Sequence, residues 1–365
     1  MNSYLPKKGT PVNELETPCI IIDLDIAEKN ITTLQNNANE LGIDVRPHAK
    51  THKSSYWAKK QIAAGAIGVC CAKLAEAEVL TEGGINNILI TNQIIGEAKI
   101  TRLAKLAKKT NIIIAVENEK NINQLSQIAK NYSVKIGVII EINVGMNRCG
   151  VSPEESVILA EEIEKSKSLN FHGIMGYEGH AVAVRDRESR VLETQKAMSV
   201  LNDAADKIRS VGINVELVSA SGTGTYAISG KIPGITEVQC GSYIFMDGDY
   251  LNVLDEFKSA LTVMSTVISK SEDRVVADFG LKSISVDRGI AEIISNEKLQ
   301  IKKHSEEHTV IESTSREKIS LEIGDKIFAL PMHGDTTINL HENFYGIRNG
   351  KLEEVIPISG RGKFL

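Results

Sequence analysis

The segment VRPHAKTHK, residues 45–53, gathers basic side chains at the end of an apolar, strand-like run. Alternate residues share a face in an extended chain, so Arg46, His48 and Lys50 are expected to point the same way. A lysine in that position would be poorly solvated and close to other cations, which lowers its pKa and makes its amine a nucleophile toward an aldehyde. Lys50 is therefore our candidate for covalent chemistry. A solvated basic loop is the alternative interpretation.

A second candidate segment is SASGTGTY, residues 219–226, which follows the eighth strand-like run in this stretch of βα units. Its small residues would let backbone N–H groups approach an anion just before a short helix. Barrels of alternating strands and helices often bind phosphate groups after a late strand. Loops of this composition are also common as plain turns, and that alternative stays open.

The third candidate is His333-Gly334-Asp335, an imidazole and a carboxylate two residues apart. In an extended segment both side chains share a face, and they could form half of a divalent metal site that leaves positions for water and substrate. An exposed polar turn is the ordinary alternative. Asp278 and Asp287 are interpreted as hairpin-turn residues rather than ligands.

These segments are expected on a regular series of strands and helices between Cys19 and Phe245. Start signals for helices occur at Asp25, with Glu28 three residues later, and at Ser152-Pro153. Repeated β-then-α units predict a parallel sheet. The nine strand-like runs are CIIIDLD, DVRPHAK, IGVCCAK, NILITN, IIIAVE, GVIIEIN, FHGIMGYEG, ELVSASG and EVQCGSY.

Polar residues at the ends of these runs favour a closed (β/α)8 barrel over an open sheet, because an open sheet would concentrate its site at one switch point. The end positions are Lys50, Lys73, Asn92, Glu117, Asn143, Tyr177 with His180, Ser221 and Gln239. For Lys73, an ion pair with Glu76 or Glu78 is preferred to a cofactor role. After about Tyr250 the short alternating runs predict a β-domain, with a hairpin turn at Asn349-Gly350. We expect a barrel over residues 16–250. We expect a β-domain that consists of residues 251–365 together with residues 1–15.

Composition limits the functional classes. The 365 residues are 42% hydrophobic, which predicts a globular protein. The net charge is −5, which gives no basic face for nucleic acid or an anionic membrane, so small molecules are the expected partners. The five cysteines lack metal spacing and are expected to be reduced and mostly buried. The start of the chain lacks a secretory signal, and no stretch is apolar enough for a membrane helix, so we expect a cytoplasmic location.

With these residues laid out, the chain resembles the D-threonine aldolase and D-serine dehydratase family, relatives of alanine racemase among fold-type III pyridoxal-phosphate enzymes. The resemblance covers nearly the whole chain. Its motifs occur in order as TPCIIIDLD, RPHAKTHK, GMNRCG, GYEGH, SGTGT, QCGSY, and HGD followed by TINLH. The family implies a barrel followed by a β-domain, a homodimer, and an active site between the two domains.

The resemblance also implies roles for individual residues. Lys50 matches the Schiff-base lysine, and Arg148 matches an arginine that contacts the phenolic oxygen of pyridoxal phosphate. Tyr177 and His180 fall in the pocket motif, and His333 and Asp335 match a metal-ligand pair. The phosphate-binding positions are Ser221, Gly222, Thr223, Gly224, Gly241 and Ser242. Gln239 stands where alanine racemase has an arginine facing the pyridine nitrogen, so electron withdrawal by the ring is weak and a metal Lewis acid becomes useful.

The leading hypothesis is a metal-dependent retro-aldol cleavage of a D-3-hydroxy amino acid to glycine and an aldehyde, in which His180 takes the hydroxyl proton. The runner-up is dehydration to ammonia and a 2-oxo acid; HxD rather than HxC favours the aldolase, with manganese, magnesium or zinc as the metal. A racemase and a non-catalytic cofactor carrier are further alternatives. The residues that bind the substrate carboxylate stay undecided among Arg46, His52, Lys53 and Arg185.

Overall fold

The computed structural model describes residues 5–315 and 318–365. The chain forms two compact units. The first, which we call the barrel unit, consists of Thr33–Lys50, Ser55–Gly241 and Gly362–Leu365. The second, which we call the sheet unit, consists of the described residues of Met1–Thr32, Thr51–Ser54 and Ser242–Arg361. The chain therefore passes between the two units at the bond that follows Lys50.

The chain enters through a short 3-10 helix, Val12–Glu14, strand β1, Cys19–Asp23, and helix α1, Leu24–Leu41. Eight parallel strands then alternate with helices in the described part of the barrel unit. The strands are β2 (Asp44–Val45), β3 (Val69–Cys71), β4 (Asn87–Gln93), β5 (Asn111–Val116), β6 (Ile136–Glu141), β7 (Leu169–Gly176), β8 (Leu217–Ala220) and β9 (Glu237–Val238). The helices are α2 (Ser55–Ala63), α3 (Leu74–Glu82), α4 (Glu97–Leu106), α5 (Glu119–Asn131), α6 (Pro153–Glu164), α7 (Gly179–Val182), α8 (Arg187–Ser210) and α9 (Tyr226–Ser229).

These strands close into a ring. Their order is β2-β9-β8-β7-β6-β5-β4-β3. A parallel bridge between His48, which continues β2, and Cys70 in β3 joins the two ends. Backbone hydrogen bonds from Ala49 N to Cys70 O and from Cys70 N to Pro47 O, both 2.8 Å, hold this join. The predicted (β/α)8 barrel is confirmed.

Alternation along each strand decides which side chains fill the barrel. In β4, Leu89 belongs to the inner cluster, whereas Ile88 and Ile90 pack in the large cluster between strands and helices. In β5, Ile113 and Ala115 are likewise inward. A residue two positions beyond an inward one also faces the interior while the strand stays extended, so polar residues just after these strands line the barrel mouth.

Helix starts follow capping chemistry. Ser152 caps α6: its hydroxyl accepts from Glu155 N–H, and the Glu155 carboxylate accepts from Ser152 N–H, as the Ser152-Pro153 pattern predicts. The start of α1 is different from the prediction at Asp25. Asp23 Oδ1 accepts from the N–H of Ile26 at 3.0 Å, because Asp23 is the residue that leaves the strand.

The sheet unit contains the 3-10 helix Ser242–Ile244, helices α10 (Gly248–Leu251) and α11 (Gly334–Ile338), and a mixed sheet that is nine-stranded in the described residues. Its later strands are β10 (Leu261–Lys270), β11 (Arg274–Ala277), β12 (Glu292–Ile293), β13 (Leu299–His304), β14 (Thr309–Ser313), β15 (Lys326–Leu330), β16 (Asn343–Arg348) and β17 (Lys351–Pro357). The expected separate β-domain is confirmed.

Strand β1 lies in this sheet and not in the barrel. It pairs antiparallel with β10 and parallel with β16. The expectation that the CIIIDLD run starts the series of βα units is therefore wrong. Four of the five residues of β1 are buried, and a short, fully apolar run fits a central strand of a mixed sheet as well as a barrel strand.

The predicted hairpin between β16 and β17 is confirmed. Its turn residues Asn349 and Gly350 both have positive φ, 51° and 71°, as a tight two-residue hairpin turn requires. Among the described residues, no helix combines the length and the apolar character needed to cross a bilayer.

Candidate active site

Lys50 follows the extended segment that closes the barrel. The N–H of Lys50 donates to Nδ1 of His48 at 3.3 Å, so the proton of that imidazole lies on Nε2, which contacts Thr91 Oγ1 at 2.9 Å. His48 therefore acts as an acceptor next to Lys50, and the predicted grouping of cations does not include it.

The aromatic ring of Tyr177 brings Lys50 and Arg148 together. Lys50 Nζ lies 5.7 Å from the ring centroid, and the guanidinium carbon of Arg148 lies 5.5 Å from it. Both are within the range of cation–π attraction. Three residues from three separate motifs thus meet at the rim, as the resemblance implies.

Below this rim a buried chain of polar side chains ends at Gln239. Gln239 Nε2 donates to Ser219 Oγ at 2.7 Å, and the Ser219 hydroxyl donates to Glu237 Oε1 at 2.6 Å. Arg46 Nε pairs with Glu237 Oε2 at 2.7 Å. Burial raises the pKa of Glu237, and the Arg46 guanidinium opposes that shift. Arg46 is thus held by Glu237, and its expected availability for a substrate carboxylate is not supported.

The SGTGT segment has the features of an anion cradle. Ser221 has a φ of 77°, and its buried Oγ has no hydrogen-bond partner among the described residues. A Cβ at Gly222 would lie 3.2 Å from the Tyr177 ring, and one at Gly224 would lie 2.1 Å from the Val182 carbonyl oxygen. The neighbouring Thr223 is also buried. The approach at Gly224 requires glycine, and the contact at Gly222 is tight for any other residue, which suits a phosphate loop.

Glu178, which the sequence did not single out, supports this loop. Its side chain is fully buried, Oε2 accepts from Ser221 N–H at 3.2 Å and Oε1 accepts from the Ser229 hydroxyl at 3.3 Å. Burial raises the pKa of Glu178, and hydrogen bonds from the loop oppose the shift. The GYEGH and SGTGT motifs therefore form one structural piece. The sequence signal that could have predicted this role is a glutamate between Tyr177 and Gly179, directly after an apolar strand.

His180 is exposed on the short helix α7, three residues after Tyr177. A Cβ at Gly145 would lie 3.2 Å from Cε1 of His180, so this glycine leaves room for the imidazole. Asn143 shapes the loop between them: its Oδ1 accepts from the N–H groups of Gly145 and Asn147, both at 3.1 Å. This loop leads directly to Arg148.

Two carboxylates lie on the inward side of β5 and β6. Gln93 Nε2 donates to Glu141 at 2.6 Å, and Gly150 N–H donates to Glu117 at 2.7 Å. Burial raises the pKa of Glu141. A carboxylate oxygen of Glu117, a carboxylate oxygen of Glu141 and the Sγ of Cys149 lie within 4.8 Å of one another, close enough to bind one metal ion. Both carboxylates are thus held in place by hydrogen bonds from neighbouring residues at the barrel mouth.

The other strand-end candidates have structural roles. Glu76 Oε2 accepts from the backbone N–H of Ala72 and Lys73, at 2.9 and 3.1 Å, and so caps α3. Glu78 forms an ion pair with Arg102, so the expected pair of Lys73 with Glu78 is not formed. Asn92 donates to Ala72 O at 3.1 Å.

In the sheet unit, His333 and Asp335 stand at the start of α11. His333 is the extended residue that precedes the helix, and Asp335 lies in its first turn. The two residues therefore do not lie in one extended segment, because the chain turns into a helix at Gly334. Gly334 N–H donates to Asp247 Oδ2 at 2.8 Å, which fixes this turn. Burial, together with the Asp335 carboxylate, raises the pKa of Asp247 to about 6.

Each of the two predicted ligands has a hydrogen-bond partner in the sheet unit. His333 Nδ1 contacts Asp287 Oδ2 at 2.6 Å, which leaves Nε2 as the available ring nitrogen. Thr51 Oγ1 donates to Asp335 Oδ2 at 3.1 Å, and Ser242 Oγ contacts Oδ1 at 3.5 Å. Partial burial raises the pKa of Asp287, but hydrogen bonds from Ser285, His333 and Thr336 lower it to about 2.

This contact corrects the interpretation of Asp287 as a simple turn residue. Thr51 was also missed, although it directly follows Lys50 and forms part of the RPHAKTHK motif. Of the remaining candidates for the substrate carboxylate, His52 is fully buried and its Nδ1 accepts from Ser54 N–H at 3.1 Å, whereas Arg185 is exposed. Lys53 has a positive φ of 48°, and Gly241 is buried at the end of the barrel unit.

Comparison with known proteins identifies the family. Residues 22–249 match the model of the alanine racemase N-terminal domain. The chain belongs to the alanine racemase N-terminal domain family. In this member of the family, residues 260–347 also match a putative serine dehydratase domain, which alone would not fix the activity. The resemblance found in the motifs is confirmed.

Two similar proteins that align over nearly the whole chain are aldolases. A 3-hydroxy-D-aspartate aldolase of Paracoccus denitrificans (strain Pd 1222) is 36% identical, with 97% of this chain and 94% of that protein aligned. The crystal structure of a D-threonine aldolase from Filomicrobium marinum is 34% identical, with a TM-score of 0.96 over 99% of each chain. A D-threo-3-hydroxyaspartate dehydratase of Delftia sp. (strain HT23) is 27% identical over 76% of this chain and 74% of that protein.

Proposed function

We propose that the chain is a lyase dependent on pyridoxal phosphate and a divalent metal, which cleaves a D-3-hydroxy amino acid to glycine and an aldehyde by a retro-aldol reaction. The substrate is of the D-threonine or 3-hydroxy-D-aspartate type. The observation that carries this proposal is the meeting of Lys50, Arg148 and Tyr177 beside a glycine-rich loop, in a chain similar throughout to two aldolases.

The barrel unit offers a consistent set of residues for pyridoxal phosphate. Lys50 would hold the aldehyde carbon through Nζ, and Arg148, Tyr177 and Gln239 would contact the ring. The phosphate would lie on Ser221, Gly222, Thr223, Gly224, Gly241 and Ser242. The buried, unpaired Ser221 hydroxyl and the close-packed glycines support this assignment. When bound, the cofactor accepts the electron pair of the breaking carbon–carbon bond.

The sheet unit offers the metal ligands. The free Nε2 of His333 and a carboxylate oxygen of Asp335 form a nitrogen–oxygen set that suits manganese, magnesium or zinc. Such a cation would polarise the substrate's β-hydroxyl and lower its pKa.

The protein's own residues then handle protons. Lys50 would give up its covalent bond to the cofactor when the substrate amine takes its place, and its amine would remain at the barrel rim. His180 takes the proton of the β-hydroxyl, directly or through water, as the Cα–Cβ bond breaks, and a proton returned to Cα then gives glycine. Its exposure and the space beside Gly145 leave the imidazole accessible to substrate. Positioned acid–base groups of this kind typically contribute about 10²- to 10⁴-fold in rate.

Dehydration is the second candidate, and the match of residues 260–347 to a putative serine dehydratase domain favours keeping it. Lys50 would remove the Cα proton, and the products would be ammonia and a 2-oxo acid. Asp335 in place of a thiolate ligand, together with the higher identity to aldolases, supports the retro-aldol reaction.

We further propose a homodimer in the cytoplasm, with the barrel as the cofactor-binding domain and the β-domain as the metal-binding domain. The five cysteines are free thiols, four of them buried, which suits a reducing compartment. Size-exclusion chromatography with light scattering tests the dimer, and fractionation of the native host tests the location.

Substrate class is tested with the protein loaded with pyridoxal phosphate and Mn²⁺. The D and L forms of threonine and of 3-hydroxyaspartate are offered separately, and glycine and aldehyde are measured. Equal molar glycine and aldehyde from a D form supports the proposal. Cleavage of the L forms alone contradicts it.

A further inference from the structure

Asp287 lies in the loop between β11 and β12 and contacts the imidazole of His333. The distance from His333 Nδ1 to Asp287 Oδ2 is 2.6 Å. The other carboxylate oxygen accepts hydrogen bonds from the hydroxyls of Ser285, at 2.5 Å, and Thr336, at 2.9 Å. Because the carboxylate accepts all three bonds, the imidazole proton is on Nδ1. The lone pair of Nε2 is then free for a cation.

The loop that carries Asp287 is tied to the helix that carries both proposed ligands. Ser285 N–H donates to Thr337 Oγ1 at 3.1 Å, and Thr337 Oγ1 donates to the His333 carbonyl at 2.8 Å. A few residues later, His341 Nε2 contacts the carbonyl of Ser283 at 2.7 Å. Asp287 is therefore held in place by backbone and side-chain bonds that do not involve the His333 imidazole.

We propose that Asp287 is a positioning residue for metal binding: it fixes the tautomer and ring orientation of His333 so that Nε2 faces the cation. This inference rests on the proposed metal site at His333 and Asp335. A carboxylate behind a metal-binding imidazole also raises its basicity, and losing such a partner typically weakens metal binding about 10- to 100-fold.

The test measures metal binding directly. The protein loaded with pyridoxal phosphate is titrated with Mn²⁺, and free Mn²⁺ is followed by electron paramagnetic resonance. The variants are Asp287→Ala, which removes the acceptor, and Asp287→Asn, which keeps an acceptor oxygen without the charge. Asp249→Asn is the matched control, because this substitution removes one negative charge close to Asp287. Asp249 pairs at 2.8 Å with Arg288, the residue next to Asp287.

We expect Asp287→Ala to weaken Mn²⁺ binding about 10- to 100-fold and Asp287→Asn to weaken it less. Asp249→Asn should stay within about twofold of the wild type, in keeping with the small effect of a screened surface charge. The absorbance of the bound cofactor should be the same in all four proteins. If Asp287→Ala is poorly folded, the Asp287→Asn result decides.

Wild-type affinity in the Asp287 variants would overturn the inference while leaving the metal site intact. An equal loss in Asp249→Asn would also overturn it, because the effect would then be one of charge rather than orientation. A wild-type protein that binds no Mn²⁺ would overturn the metal site as well, and this outcome is recognised without any variant.

Discussion

Replacing Glu178 with alanine removes the buried acceptor that holds the SGTGT loop. In the wild type its two oxygens accept from Ser221 N–H and from the Ser229 hydroxyl. The variant leaves the buried N–H of Ser221 without this acceptor and opens a space beneath the loop. Because the proposed phosphate site lies on this loop, the change should reach both folding and cofactor binding.

The magnitude follows from these losses. An unsatisfied buried N–H costs about 1–3 kcal/mol, and the one lost methylene, Cγ, costs about 0.8 kcal/mol, so Glu178→Ala should destabilise the protein by about 2–4 kcal/mol. Glu178→Gln is the matched control. Its amide oxygen can accept from Ser221 N–H while its NH₂ group donates to Ser229, so it should stay within about 1 kcal/mol of the wild type.

Urea unfolding of the two variants, with fluorescence titration of pyridoxal phosphate, measures both effects. Glu178→Ala should unfold at lower urea and bind the cofactor at least tenfold more weakly, about 1.4 kcal/mol. Unchanged unfolding and cofactor affinity in Glu178→Ala would refute the supporting role of Glu178.

The free energy of unfolding of the wild type should depend on pH differently from that of Glu178→Gln. The folded-state pKa of Glu178 is raised by burial, so the protonated form is favoured by folding. The stabilisation is therefore complete below the unfolded pKa, about 4.3, and is lost as the pH rises toward the folded pKa. The stability of the wild type relative to Glu178→Gln should fall across this window, and a constant difference would contradict the assignment.

Four further substitutions test the barrel site. His180→Ala should lower kcat about 10²- to 10⁴-fold while the absorbance of bound cofactor stays unchanged, and full turnover would exclude His180 as the base. Gly224→Ala should destabilise the protein by about 1–3 kcal/mol because its Cβ meets the Val182 backbone, whereas Gly222→Ala, which meets movable side chains, should cost less in a thermal unfolding assay. Lys50→Ala should abolish covalent retention of pyridoxal phosphate on borohydride reduction; retention elsewhere would move the attachment site.

Much of the barrel site could be predicted because the strand period places alternate residues on one face. Lys50, Tyr177 and Arg148 lie in separate motifs, yet strand ends of a closed barrel meet at one rim. The same rule places Thr91, and not the predicted Asn92, on the face that Leu89 presents to the barrel interior, and Thr91 contacts His48. Periodicity predicted the rim positions of Lys50 and Tyr177, whereas Arg148 was implied only by the resemblance to the family.

Other features depend on contacts between distant segments, which no local pattern contains. Strand β1 is apolar on both faces, and its place in the sheet unit is decided by its pairing with β10 and β16, more than two hundred residues away along the chain. Asp287 and His333 are likewise far apart in sequence, and only the fold shows that they touch. The turn at Gly334 depends on the buried Asp247.

The most direct test of the central claim is the partition of products. Protein loaded with pyridoxal phosphate and Mn²⁺ is incubated with D-threonine, D-serine or 3-hydroxy-D-aspartate, with and without a chelator, and Lys50→Ala serves as the control. The account predicts glycine and an aldehyde, with activity lost on chelation and absent from the variant. Ammonia and a 2-oxo acid as the main products would contradict it and assign the chain to the dehydratases.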